Sequence, residues 1–206
     1  MVNIFFDFDG TLINSQHRLY NLFIEFCPEC KMTYEEYWEI KRQRINQKDF
    51  LKKYFSYSDE RCGEVHRLWL EKVEEPERLK QDFLNEGIEE ELKNLYKKYN
   101  LYIVTNRQSK ELTIKETETL GIKKYFKEIL VTEQKKTKEE LIRENIKFSS
   151  EDILIGDTGE DIKCAKALGI KSAAVGWGIL NEKILKEYKP DCLIYNMEEV
   201  TVKLGE

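Results

Sequence analysis

The sequence predicts an α/β protein, a doubly wound parallel sheet interrupted after its first strand by an all-helical block. Three observations carry that expectation. From Gly87 onward helical and strand-like segments alternate strictly, the pattern of a parallel sheet covered by helices. Between Asn14 and about Lys80 the periodicity is helical, with no strand-like alternation. The chain also opens on a short apolar run, Ile4, Phe5 and Phe6, that ends in two carboxylates, Asp7 and Asp9, followed at once by Gly10 and Thr11. A core of residues 1–14 and 82–206 is therefore expected, with a helical cap of residues 15–81.

Taken in order, the first strand sets the rest. Side chains alternate along a strand, so Asp7 and Asp9 would share a face if it ran straight on. Gly10 breaks it, which leaves the pair at a carboxyl-terminal strand edge, where open α/β sheets bind ligands. Carboxylates this close repel unless a cation bridges them, and oxygen-only donors suit Mg²⁺. Taken alone, the same residues also describe a strand ending in an acidic turn.

The cap reads as helices. Leu19, Leu22, Phe23 and Phe26 mark one amphipathic face that Pro28 ends. Residues 33–54 form a second helical region rich in aromatics, and Val65, Leu68, Trp69 and Val73 mark a third, stopped near Pro76. The core then alternates: helix from Ile88 to Tyr99, strand 101–104, helix 109–120, strand 128–131, helix 137–146, strand 153–155, helix 161–168, strand 172–175, helix 181–188 and strand 192–195. Gly121 and Gly169 suit left-handed helix ends, and Thr137 with Glu140 forms a capping box.

Composition narrows the function. The 206 residues suffice for one domain with an insert, and 41% hydrophobic and 12% aromatic residues support a core. A net charge of −5 without a basic patch argues against nucleic acid. No stretch is apolar for about 18 residues, as a membrane span requires, and the first strand starts too early for a signal peptide. A cytoplasmic protein is expected. Five cysteines, an odd number, argue against a disulfide framework. Cys27 and Cys30 look like half a zinc site, but Cys62 is the one further cysteine of that block, and four ligands are needed.

Parallel strands deliver their carboxyl ends to one edge, which brings four polar groups within reach: Asp7/Asp9, Thr105/Asn106, a lysine cluster at 135, 136 and 138, and Asp157/Asp161. The order and composition resemble the haloacid dehalogenase (HAD) superfamily, chiefly its helical-cap, phosphoglycolate-phosphatase-like members with a Rossmann-like core. The matching residues are Asp-Phe-Asp-Gly-Thr at 7–11, Ile-Val-Thr-Asn at 103–106, a lysine at a helix start, and Ile-Gly-Asp-Thr-Gly-Glu-Asp-Ile at 155–162. The resemblance covers nearly the whole chain.

The resemblance implies a Mg²⁺-dependent phosphatase working through an aspartyl-phosphate. Asp7 is then the nucleophile, and Asp9 the acid that protonates the leaving oxygen and the base that activates water. Thr105 and Lys138 complete the catalytic set, with Gly10, Thr105, Asn106 and Lys138 binding the phosphoryl group. Asp7, Asp157 and the main-chain carbonyl of Asp9 hold the metal, and Asp161 supports it through water or orients Lys138. Lys136 also fits the family's lysine position, because in many relatives the lysine precedes the helix by three residues in a Lys-Pro pattern, but Thr137 stands where that proline would be. Lys138 is the preferred reading. Relatives also commonly carry Asp-Ser where this chain has Asn14-Ser15, which removes a charge near the expected pocket.

The expected partner is a small phosphomonoester, with neither nucleic acid nor membrane involved, and the chain a monomer or homodimer. Arg42 and Arg44 fit either a substrate anion or a solvated helix face. The rival functions are a phosphomutase using the same intermediate and a non-catalytic binding protein on this fold. A dehalogenase has no use for Asp9 as an acid or for a metal-binding Asp157.

Overall fold

The structure, a computed structural model, describes residues 1–205. In chain order its elements are β1 (Asn3–Phe6), β2 (Ile13–Asn14), α1 (Gln16–Phe26), α2 (Tyr34–Lys41), α3 (Gln47–Phe55), α4 (Asp59–Lys72), α5 (Pro76–Leu79), β3 (Phe83–Leu84), α6 (Ile88–Leu95), β4 (Asn100–Thr105), α7 (Lys110–Thr119), a 3₁₀ turn (Lys123–Tyr125), β5 (Glu128–Val131), α8 (Lys138–Asn145), β6 (Ile153–Gly156), α9 (Gly159–Leu168), β7 (Lys171–Val175), α10 (Glu182–Glu187), β8 (Cys192–Ile194) and α11 (Glu198–Gly205). They divide into two compact units, residues 1–14 with 83–206, and residues 15–82.

The larger unit is a six-stranded sheet in the order β5-β4-β1-β6-β7-β8, with every pairing parallel. Counting only these strands along the chain, the order is 3-2-1-4-5-6, the doubly wound arrangement. The order reverses at β1, whose Ile4 pairs with Leu101 on one side and Ile153 on the other. Alternation along β1 fills both faces. Ile4 and Phe6 pack with Ile88, Leu92 and Leu95 of α6, while Phe5 packs with Leu154, Ile142 of α8 and Ala165 of α9. Side chains this fully buried each contribute about 1.5–3 kcal/mol. That is why the strand presenting Asp7 is held so firmly.

The helical unit has its own core. Phe23 of α1 lies 4.8 Å from the Tyr37 ring and 5.3 Å from Phe50. Both oxygens of Asp82 accept from Arg18 Nε at 2.9 Å, and Arg18 Nη1 donates to the Val73 carbonyl at 2.7 Å. This buried fork ties Asp82 to the helical unit.

Three local features depart from the sequence expectation. Residues 33–54 are two helices, because a turn between α2 and α3 places Arg44 in the left-handed region at φ +67°. Pro76 opens the short α5 at its first position, where its missing N–H costs nothing, as well as following α4. The antiparallel pair β2 and β3, which joins Ile13 to Leu84 and Asn14 to Phe83, went unanticipated, as did α11. Among the described residues no helix is long and apolar enough to cross a membrane.

Candidate active site

The end of β1 delivers Asp7 to the carboxyl edge of the sheet, where its main-chain N–H still donates to the Ile155 carbonyl of β6 at 2.8 Å. Neighbouring strands bring the other groups. Thr105 closes β4 and is buried, and Asn106 follows it on the surface, donating from Nδ2 to Glu160 at 3.4 Å. Asp157 follows β6 directly. Lys138 opens α8, whose capping box between Thr137 and Glu140 fixes the first turn.

Lys138 is the hub. Its Nζ lies 2.7 Å from Asp7 Oδ1 and 2.6 Å from Asp161 Oδ1, with its side chain only 6% exposed. Lys136, the competing third-motif lysine, is half exposed and pairs with Glu144 instead. Asp161 sits at the third position of α9, two residues inside a helix that starts earlier than its apolar pattern suggests. There its Oδ2 accepts from the Thr158 N–H at 3.1 Å and hydroxyl at 2.7 Å. One carboxylate thus caps the helix and orients the lysine.

Asp157 is fully buried and accepts from the Ile179 N–H at 2.7 Å and the Thr11 hydroxyl at 3.3 Å. Two glycines give it room. A Cβ on Gly10 would lie 2.3 Å from Asp157 Oδ2, and one on Gly178 2.1 Å from the Asp157 Cβ. Gly10 is further held at φ +79°, where only glycine is unstrained. Its N–H donates to the Ile13 carbonyl at 2.8 Å, so Gly10 shapes the turn that follows Asp9.

The electrostatics follow from burial. Asp7, Asp157 and Asp161 place their ligand oxygens within 4.8 Å of one another, against a single ammonium. Burial pushes the Asp7 carboxyl up to about 6; Lys138 pulls it down, while Asp161 and Asp9 repel it. Asp157 is raised by burial and by repulsion from Asp7 and Asp161. The same neighbours hold Lys138 charged against its own burial. Three buried carboxylates share one lysine, and a divalent cation among them would favour their ionised forms. An all-oxygen donor set this compact suits a hard cation such as Mg²⁺. Among the described residues Cys27, Cys30 and Cys62 form no comparable group.

Asp9 is placed apart from this cluster. Both its oxygens are taken by Arg107, Nε to Oδ2 at 2.7 Å and Nη2 to Oδ1 at 3.0 Å. Arg107 is buried, also pairs with Glu116 of α7, and lies 4.8 Å over the Phe8 ring. Sequence reasoning missed both Arg107 and Glu116. Position alone offered a signal, since Arg107 is the residue after Asn106 at a strand end. His17, in the helical unit, stacks on Tyr34 at 4.4 Å.

A doubly wound sheet with carboxylates and a lysine gathered at its switch point defines a hydrolase of the HAD type. Residues 4–175 match the model of the haloacid dehalogenase-like hydrolases, and the chain belongs to that family. It is 26% identical to pyrophosphatase PpaX of Halalkalibacterium halodurans over 98% of this chain and 96% of the relative. Its fold is similar to that of a haloacid dehalogenase-like hydrolase from Streptococcus pneumoniae, with TM-score 0.83 and 23% identity over 98% of both chains. It is also similar to a magnesium-bound HAD hydrolase, YfnB of Bacillus subtilis, with TM-score 0.68 and 21% identity over 100% of this chain and 99% of the other.

Proposed function

We propose that the chain is a Mg²⁺-dependent phosphatase that hydrolyses a small phosphorylated metabolite through an aspartyl-phosphate on Asp7. The observation that carries this reading is the buried cluster in which Lys138 bridges Asp7 and Asp161 while Asp157 lies alongside. It is built for an anion that arrives with a divalent cation.

In this reading an oxygen of Asp7 attacks phosphorus as the bond to the leaving oxygen breaks, and Asp9 gives that oxygen its proton. Water then attacks the aspartyl-phosphate, Asp9 takes the water proton, and phosphate leaves Asp7 restored. Lys138 neutralises Asp7 and the phosphoryl oxygens, and Thr105 donates to them with the Asn106 N–H. Asp7, Asp157 and the carbonyl of Asp9 would hold Mg²⁺, with Asp161 in support. Bound there, the ion would neutralise phosphoryl charge. The domain division supports a helical cap that selects the substrate.

A second reading, hydrolysis of inorganic pyrophosphate, is favoured by the likeness to PpaX. It uses the same residues, with phosphate in place of an alcohol as leaving group.

The test is phosphate release from 4-nitrophenyl phosphate, a sugar-phosphate panel and pyrophosphate, with Mg²⁺ and then with excess chelator, beside Asp7→Asn. Metal-dependent release that Asp7→Asn abolishes is expected, with acid-stable label trapped on the wild type alone. Turnover surviving Asp7→Asn would remove the nucleophile assignment.

A further inference from the structure

Arg107 is a buried cation that the reading above leaves without work. Its side chain is 3% exposed, yet the residue it grips, Asp9, is 25% exposed, more open than Asp7, Asp157 and Asp161. Nε and Nη2 reach the two Asp9 oxygens at 2.7 and 3.0 Å, so the carboxylate is fixed in position and in rotation. The guanidinium is fixed in turn from two sides. Glu116 of α7 pairs with Nη1 and accepts from Nη2 at 3.4 Å, and the Phe8 ring lies 4.8 Å beneath. A planar fork held this way sets an angle as well as a distance, which a lysine ammonium does not.

We propose that Arg107, braced by Glu116, is a positioning residue that aims the Asp9 carboxyl at the leaving oxygen. The inference rests on the phosphatase reading and deepens it. Asp9 must offer one oxygen to the reacting group, so Arg107 keeps its hold on one oxygen while the other exchanges. As the phosphorus–oxygen bond to the leaving group breaks and the bond to Asp7 forms, the proton passes from Asp9 to the leaving oxygen. A misaimed Asp9 therefore slows formation of the aspartyl-phosphate only for substrates whose leaving oxygen needs that proton.

The experiment compares kcat/KM for 4-nitrophenyl phosphate, whose nitrophenolate leaves unprotonated, with kcat/KM for glycerol phosphate, whose alkoxide does not. This ratio reports the steps up to formation of the aspartyl-phosphate. The variants are Arg107→Lys and the double variant Arg107→Gln/Glu116→Gln, which avoids a buried unpaired glutamate should the single change unfold the chain. Circular dichroism and a thermal melt establish that each is folded. Loss on glycerol phosphate of about 10- to 100-fold, with less than about threefold loss on the aryl ester, is expected from misplaced general-acid catalysis. Arg107→Lys should recover part of it. Equal losses on both esters, or none on either, would overturn the positioning role and leave the phosphatase reading standing. Wild-type activity on the aryl ester alone would also overturn it, since no proton would then need aiming. A wild type inactive on both esters would sink the phosphatase reading itself and this role with it.

Discussion

Asp7 and Asp9 stand two residues apart and are held in opposite ways. Asp7 lies among Asp157 and Asp161 and shares one ammonium, Lys138, with Asp161. Asp9 is more open and meets the Arg107 guanidinium, which Glu116 also holds, at both oxygens. A lysine is a point charge that tolerates a rearranging partner, whereas an arginine fork fixes orientation. The first environment suits a group that must form a bond to phosphorus. The second suits a group whose task is directional proton transfer. Paired carboxylates take different roles when their surroundings diverge, and here the divergence is made by burial and by the choice of cation.

The comparison breaks most readily at Lys138. Lys138→Met removes the only ammonium from three clustered buried carboxylates. Breaking a buried pair in this way costs about 3–5 kcal/mol. Phosphate release should fall by at least about 100-fold, as for other lost electrostatic donors. Denaturant melts in chelator and initial rates in Mg²⁺ measure the two effects. A stable, active variant would show that Asp7 does not depend on its lysine.

A smaller effect should appear with pH in the metal-free protein. Burial raises Asp7 to about 6 from an unfolded value near 4. The folded state then binds that proton more tightly than the unfolded state. Stability should therefore decline as pH rises from about 4 to about 6, by about 3 kcal/mol for a two-unit shift. Asp157, raised for the same reason, acts in the same direction. Lys138 stays charged throughout this window and adds no slope. The difference in melting midpoint between wild type and Asp7→Asn, taken across this range in chelator, isolates the effect, and Mg²⁺ should flatten it. A flat difference would mean that burial does not shift the Asp7 carboxyl.

Much of this arrangement was legible in the sequence, for physical reasons that differ from residue to residue. The alternation after Gly87 shows as strands because the inner ones, β4 and β6, are buried on both faces, as Ile4, Phe5 and Phe6 are. Groups at strand ends could be read as neighbours because parallel strands share an edge. β2 and β3 are two residues each, too short to carry any period. The break at Arg44 depends on one backbone angle that no apolar pattern encodes. Arg107 stayed hidden because Asp9 lies 98 positions away, and an arginine after a strand resembles a solvated surface residue. Gly10 was legible as a turn, but the destination of its N–H was not.

Glu116 gives a sharper and smaller test of the Asp9 side. Glu116→Gln keeps the shape, removes one charge from a nearly buried pair, and leaves Arg107 with Asp9. A lost charge-assisted hydrogen bond costs about 1.5–3 kcal/mol, and the retained amide should return part of that. A stability loss of about 1–2 kcal/mol in urea melts is expected. A loss as large as that of Lys138→Met would mean that the two cations are equally critical.

The smallest effect should come from Lys136, two residues from Lys138 and outside both environments. Its side chain is 46% exposed and its partner Glu144 50% exposed. Exposed pairs of this kind are screened by water and salt, and their removal shifts stability by no more than about 0.5 kcal/mol. Lys136→Ala should therefore melt within a degree or two of wild type and keep its rate of phosphate release. The capping box of α8 does not involve the Lys136 side chain, so Lys138 should still reach Asp7 and Asp161. Should Lys136→Ala lose activity while Lys138→Met retains it, the shared ammonium would be the wrong basis for contrasting Asp7 with Asp9.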